Sequence, residues 1–372
     1  MVTWFMMDPL SKVSRLISLD VFRGLTVFLM ILVNSPGNNV AYTWLEHSAW
    51  NGCTLADLVF PFFLFIVGVS LVFGLYKNRG SKRPALLIFK ILKRTLFIFS
   101  LGLLLNFYSA HFEWEQIRYF GVLQRIAVCY GAAALLFLTC TMRTQIIITG
   151  GILLTYWLIY LLFPDLTLAN NPAAYVDRWF FSSQHLYGKV YDPEGILSTL
   201  PALATTLIGV CIGYWLICIT NEKDKLTGLV LFGVCQLVLG WLWSFSFPFN
   251  KALWTSSYVL WTAGMATLLL ATLYWLIEIK SWRFWTAGFI LLGTNAMLAY
   301  VLHVFFLKLQ SRIYLYPDVN LKNHLTNQLF GWASPLNASL FYALSYTVFW
   351  IIVLSTYIQI KVGWCRQPYK RC

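Results

Sequence analysis

The chain has 372 residues, of which 59% are hydrophobic and only 11% charged, and its mean hydropathy is +0.69. Soluble domains carry about 25% charged residues, so a soluble globular protein is excluded. The net charge of +13 comes with no basic face on a soluble module, which argues against a nucleic-acid partner and fits the positive-inside bias of membrane proteins.

A membrane span needs about 20 predominantly apolar residues. Ten such runs follow one another, over residues 16–33, 55–75, 86–107, 120–139, 146–163, 198–219, 226–245, 257–277, 285–307 and 339–362. Lipid offers no hydrogen-bond partners, so each run is predicted to be a helix, and the fold class is an all-α polytopic transmembrane bundle forming one domain over 1–372. The third run is interrupted by Lys90, Lys93 and Arg94, which are expected to snorkel to the headgroups. The first is no cleavable signal peptide, because it holds Asp20 and Arg23 and no small-residue cleavage site follows it. The 17 Trp, 20 Tyr and 29 Phe suit aromatic belts at both interfaces.

Lys and Arg set the orientation. Lys12 and Arg15 precede the first run; Lys77, Arg79, Lys82 and Arg83 lie between the second and third. Arg143, Lys223, Lys225, Lys280 and Arg283 fall in later connections of the same parity, and Lys361, Arg366, Lys370 and Arg371 close the chain. That side is predicted to be cytoplasmic, with both termini on it. The opposite connections, 34–54, 108–119, 164–197, 246–256 and 308–338, carry His47, His111, His185 and His324. Two of them are longer than passive connectors usually are.

The polar residues concentrate in a few places. Asp20 and Arg23 are three apart and share a helix face, either as an interhelical clamp or as a cationic wall for an anionic ligand. Asn34 ends the first run and Asp57 begins the second, at the depth of His47, a base candidate at neutral pH. A carboxylate beside an imidazole fixes its tautomer, and an Asn amide polarises a carbonyl oxygen. Alone, His47 also reads as an interfacial histidine with no role. Gln124 and Arg125 open the fourth run, where Arg125 must find a partner within the bilayer. Asp192 and Glu194 lead into the sixth. Asn250, Lys251 and Trp254 lie between the seventh and eighth, Trp254 as a belt or sugar-stacking residue. Gly293-Thr294-Asn295 and His303 sit in the ninth, suited to helix–helix hydrogen bonds. The eight Cys show neither a CxxC pair nor metal-ligand spacing, and no phosphate loop is present, so no metal is expected.

Read together, these stretches resemble the heparan-α-glucosaminide N-acetyltransferase family, its bacterial relatives and the wider transmembrane acyltransferase superfamily. The resemblance rests on Ser18-Leu-Asp20-Val-Phe-Arg23-Gly24, on Asn34, on His47-Ser-Ala-Trp50-Asn51-Gly52 and on Thr54-Leu-Ala-Asp57-Leu-Val-Phe-Pro61. It continues at Gly121-Val-Leu-Gln124-Arg125-Ile-Ala, at Tyr191-Asp192-Pro193-Glu194-Gly195 and at Asn250-Lys251-Ala-Leu-Trp254-Thr255. It implies transfer of an acetyl group from cytoplasmic acetyl-CoA, as cosubstrate, to the amine of a glucosamine-type sugar or glycan end across the membrane. The family's catalytic histidine falls on His47, as a general base or as a nucleophile that forms an acetyl-imidazole, and its Asn beside the acetyl group on Asn34, with Asp57 orienting the imidazole. Arg23, Arg125, Gln124 and Asp20 are expected at the cofactor, and Asp192, Glu194, Asn250, Lys251, Trp254 and Trp50 at the sugar. The chain differs from the animal enzyme in having no large domain before the first run, which points to a bacterial inner membrane in contact with lipid; a homodimer is compatible with this reading. A transporter or flippase for an amino sugar or lipid-linked saccharide, and an O-acyltransferase of the same superfamily, are the alternatives. The transporter reading lacks Gly/Pro-broken span pairs in matching halves.

Overall fold

A computed structural model describes residues 15–38, 40–80, 84–163 and 166–365. Of the residues that set the predicted orientation, Lys12, Lys82, Arg83, Arg366, Lys370 and Arg371 lie outside these, as does the Lys361 side chain. The described residues form thirteen α-helices and one short hairpin. In chain order these are α1 (Ile17–Asn34), α2 (Leu55–Leu75), α3 (Pro84–Ser109), α4 (Val122–Thr139), α5 (Met142–Leu161), α6 (Pro172–Phe180), α7 (Thr199–Cys218), α8 (Glu222–Ser244) and α9 (Ser256–Tyr274). Then follow α10 (Ala287–Thr294), α11 (Ala296–Arg312), the antiparallel pair β1 (Tyr314–Tyr316) and β2 (Val319–Asn320), α12 (Leu321–Phe330) and α13 (Pro335–Cys365).

Each predicted run is helical, and the protein is a polytopic all-α membrane bundle. Among the described residues eight helices are long and apolar enough to cross a membrane, or nine if α10 and α11 together make one crossing. The difference from ten lies in the third run and the ninth. Within α3 stand Lys90, Lys93 and Arg94, and its buried residues Ile91, Ile98, Gly102 and Leu105 form one narrow stripe. Arg94 places its guanidinium 4.8 Å from the Tyr130 ring. The ninth run is broken: α10 and α11 meet at 82°. At the break the Asn295 amide donates back to the Leu291 carbonyl at 2.9 Å, which satisfies an acceptor that the interrupted helix leaves open. Two long connections also hold structure that the hydropathy pattern does not announce, α6 in one and β1, β2 and α12 in the other.

The chain divides into two compact units. The first comprises Ser48–Cys53 and Phe60–Trp275. Its centre is α7, whose Gly209 brings the helix so close to α2 that a Cβ there would lie 2.1 Å from the Phe65 carbonyl oxygen. In membranes, where burial of apolar surface gives no drive between helices, such small-residue contacts supply the packing. Tyr156, Tyr160, Phe247 and Leu253 form a second cluster, and the Tyr156 hydroxyl donates to the Leu253 carbonyl at 2.6 Å.

The second unit comprises Ile17–His47, Thr54–Val59 and the chain from Leu276 onward. Here α1 and α10 meet backbone to backbone. A Cβ on Gly24 would stand 1.8 Å from the Phe289 carbonyl oxygen, and one on Gly293 2.1 Å from that of Asp20. The first turn of α1 is closed by a distant carboxylate: the Ser18 N–H donates to Glu278 Oε1 at 2.9 Å, and Arg283 lies 3.6 Å from Glu278 Oε2. Beyond α1, Lys322 of α12 donates to the Pro36 carbonyl at 3.0 Å and the Gly37 N–H donates to Ser339 Oγ at 2.8 Å. The residues after Asn34 are therefore clamped from α12 and α13.

Candidate active site

In the second unit His47 and Asp57 form a dyad. Asp57 stands in the first turn of α2, where its Oδ2 accepts the Thr54 N–H at 3.1 Å, the half of a capping box that ties a carboxylate back to the helix start. This turns Oδ1 toward His47 Nδ1, 2.8 Å away. The Thr54 hydroxyl donates to the Glu46 carbonyl at 2.6 Å and so fixes the chain just before His47. Asp57 is buried, whereas the His47 side chain is 53% exposed. An ionised carboxylate only accepts, so Nδ1 carries the proton and Nε2 is left as the basic nitrogen on the accessible edge.

Asn34 ends α1 with its side chain exposed. Asp20 and Arg23 pair at 3.1 Å, as their spacing requires. Arg23 Nη1 also donates to the Gly293 carbonyl at 3.3 Å, so the arginine bridges α1 and α10 at their glycine contact. The pair thus holds α1 to α10 as a clamp would, while 22% of the Arg23 side chain stays accessible.

The remaining candidates lie in the first unit. The Trp50 indole donates to the Leu166 carbonyl at 2.8 Å, and its ring meets Tyr191 edge-on at 6.2 Å. The Asn250 amide donates to Asn51 Oδ1 at 3.2 Å, while its own Oδ1 accepts the Leu253 N–H at 2.9 Å. That second bond turns the chain into Trp254, which takes a φ of +55°, a left-handed conformation costly for a bulky side chain. Trp254 is only 1% exposed, so its ring lies in the interior. Its indole donates to Thr205 Oγ1 at 3.1 Å, and the Arg125 guanidinium lies 5.1 Å from the ring centroid. Lys251 is half-buried.

Arg125 is fully buried, and the partners it finds are neutral. Its Nη2 donates to the Gly195 carbonyl at 3.3 Å and to the Ser198 hydroxyl, while Nε and Nη1 have no hydrogen-bond partner. Gln124, 1% exposed, also has an unpartnered amide nitrogen. Residues read separately as cofactor-facing (Arg125) and sugar-facing (Glu194, Trp254) thus belong to one network.

The partner of Asp192 and Glu194 is Arg118, which the sequence reading passed over. Arg118 Nε and Nη2 grip Asp192 at 2.7 and 2.5 Å, and Nη2 also reaches Glu194. Bidentate pairing of this kind is the strongest that arginine makes. Burial alone works to raise the Glu194 carboxyl, but the charges of Arg118, Arg125 and Lys251 outweigh it and hold the group below its usual value. For Arg118, burial is outweighed by the hydrogen bond it donates to Asp192 and by the charge of Glu194, and the guanidinium is held above its usual value. The signal in the sequence was the carboxylate pair itself: two acids in a buried turn require a cation, and Arg118 stands just ahead of the Gly121–Arg125 stretch.

Comparison with known proteins finds one family. The family model for heparan-alpha-glucosaminide N-acetyltransferase, catalytic, matches residues 15–239. The mouse protein named heparan-alpha-glucosaminide N-acetyltransferase is 29% identical over 362 aligned residues, covering 79% of this chain and 54% of its own length. The human protein of the same name is 28% identical over 420, covering 94% of this chain and 60% of its own length. The chain therefore spans little more than half the length of these curated relatives. Because the family model matches more than half of the chain, this protein belongs to the heparan-alpha-glucosaminide N-acetyltransferase catalytic family.

Proposed function

We propose that the protein transfers an acetyl group from acetyl-CoA to the amine of a glucosamine-type sugar, with the donor on the cytoplasmic side and the acceptor on the other. The observation that carries this reading is the His47–Asp57 dyad, 2.8 Å across, with a buried carboxylate and an accessible imidazole. In the proposed reaction the sugar nitrogen attacks the thioester carbonyl, the C–N bond forms, the C–S bond breaks, and CoA leaves as its thiol. His47 Nε2 takes the proton from the nitrogen and returns one to the departing sulfur. Asp57 holds the tautomer and stabilises the imidazolium; Asn34 offers its amide to the carbonyl oxygen as negative charge develops there. Arg125, Gln124, Arg23 and Asp20 serve the cofactor, and Trp50, Asp192, Glu194, Asn250, Lys251 and Trp254 the acceptor. Trp254 acts by supporting Arg125 from beneath, since its ring is enclosed.

The names of the mouse and human relatives support N-acetyl transfer to a glucosaminide. A bacterial inner membrane, with Lys- and Arg-rich connections in the cytoplasm, is the proposed setting. The second reading is a carrier for an amino sugar, and the broken pair α10–α11 is the observation in its favour. One assay separates the two. Purified protein in lipid receives acetyl-CoA and glucosamine, and thiol release is followed. Release by wild type, lowered about 10²–10⁴-fold in His47→Ala, supports the transferase. No release with any amino sugar sinks it; a fully active His47→Ala enzyme removes His47 from the mechanism and leaves the reaction standing.

A further inference from the structure

Asp177, on α6, has no role in the reading above. Its carboxylate is fully buried, and its two oxygens differ: Oδ1 accepts the Ile196 N–H at 2.9 Å, while Oδ2 has no hydrogen-bond partner. Gly195 lies directly against it, for a Cβ on that residue would stand 2.0 Å from Oδ2. On its other side the same short turn is held by both arginines. Gly195 and Ser198 accept from Arg125, and Asp192 and Glu194 accept from Arg118.

We propose that Asp177 is a positioning residue, which fixes the turn from Asp192 to Ser198 and through it the two arginines, and whose ionisation loosens that turn. The link to acceptor binding rests on the functional reading given above; the effect on the turn does not.

The physical reason is the unpaired oxygen. A buried carboxylate needs hydrogen bonds or a cation to offset its lost hydration. Of the charged and titratable groups that face Asp177, Arg125 on α4 favours the ionised form, the Asp192 carboxylate in the turn opposes it while the nearby Asp192 N–H favours it, and Tyr156 and Tyr160 on α5 also lie within its field. Arg178, on its own helix, donates to the Val190 and Ala169 carbonyls instead. Burial prevails, and the carboxyl is pushed up to about 6 from 3.8. When the turn opens, the carboxyl hydrates and its affinity for protons returns to the ordinary value. Opening therefore becomes easier as pH rises through this interval, by on the order of a hundredfold for a shift of about two pH units.

Hydrogen exchange of the peptide spanning 192–198, in the full-length protein in lipid, tests this in wild type, Asp177→Asn and Asp177→Ala. Asn keeps the acceptor for Ile196 and cannot ionise. Once intrinsic exchange rates are removed, wild-type opening is expected to rise on the order of a hundredfold from about pH 4 to about pH 8. Asp177→Asn is expected to stay level, and Asp177→Ala to be open at every pH. In parallel the acceptor KM of wild type should rise with pH over this range by a component that Asp177→Asn lacks, with kcat less affected. Equal pH dependence of exchange in wild type and Asp177→Asn overturns the proposal. So does an exchange difference with no change in acceptor KM, as far as the link to binding goes. If wild type transfers no acetyl group, the functional reading fails while exchange still decides the role of Asp177. Should neither variant fold, the infrared band of a protonated carboxyl in wild type, expected at about pH 5 and lost by about pH 8, reads the same ionisation, and its absence overturns the idea.

Discussion

Arg118→Met isolates the charge that holds the Asp192 turn. The substitution keeps an aliphatic stem of similar length and removes the fork that serves both carboxylates. It leaves Asp192, 2% exposed, and Glu194, 8% exposed, without that cation. Breaking a buried pair by deleting one partner costs about 3–5 kcal/mol, most of it the penalty of the stranded charge. Two features place the effect at the lower end, about 3 kcal/mol. The Arg118 side chain is itself 22% exposed, so water can reach the vacated space, and the Tyr187 and Glu194 N–H groups still donate to Asp192. The pH dependence follows from Glu194. Its carboxyl is held below the ordinary value of 4.5, so the stability it contributes is present above that value and lost as pH falls through the folded-state value. Denaturant unfolding in micelles should show the full deficit at pH 7 and a shrinking one in acid, and adding Asp192→Asn should recover part of it at pH 7. A deficit under about 1 kcal/mol at neutral pH, the range of an exposed ion pair, would refute the reasoning. So would one that stays constant into acid.

Three further outcomes are expected. Asp57→Asn should keep the fold yet lower kcat by about 10²–10⁴-fold, because an amide at that place no longer selects the tautomer in which Nε2 is the basic nitrogen; steady-state thiol release measures it. Gly24→Ala should destabilise the second unit by about 3 kcal/mol, the upper part of the usual overpacking range, because the added methyl meets a backbone carbonyl that cannot rotate away; unfolding in micelles reads the loss. Trp254→Leu should cost about 3 kcal/mol through the cavity and the lost ring beneath Arg125, with the Thr205 hydroxyl left without its donor; the same unfolding curves check it.

What the sequence made legible follows from the range of the physics. Hydropathy is local, and it located each long helix. The Asp20–Arg23 pair is a consequence of helical pitch, and Asp57 meets His47 because both flank one helix start. Contacts across long separations were harder to see. Arg118 lies 74 residues from Asp192, and nothing in either neighbourhood names the other. Asp177 sits in a connection whose hydropathy is unremarkable, on a helix too short to show as a span. The break at Asn295 escaped notice because the flanking runs are both apolar and their average hides the bend. By its sequence Trp254 suits an interfacial belt or a sugar-stacking surface, since its ring is amphipathic. Its enclosure depends on a left-handed backbone that no pattern of polarity encodes.

The paired glycines of α1 and α10 have a consequence for how this gene can vary. Each occupies a place where the opposite helix leaves no room for a side chain. Sliding either helix by a residue would bring Arg23 or Leu25 onto Phe289, and Leu292 or Thr294 onto Asp20. Lengthening or shortening a helix at its free end is ordinarily harmless in a bundle. Between these two glycines and the ends they serve, the loss or gain of a single codon is expected to be lethal to the fold, even though many of the surrounding apolar positions accept one another's residues.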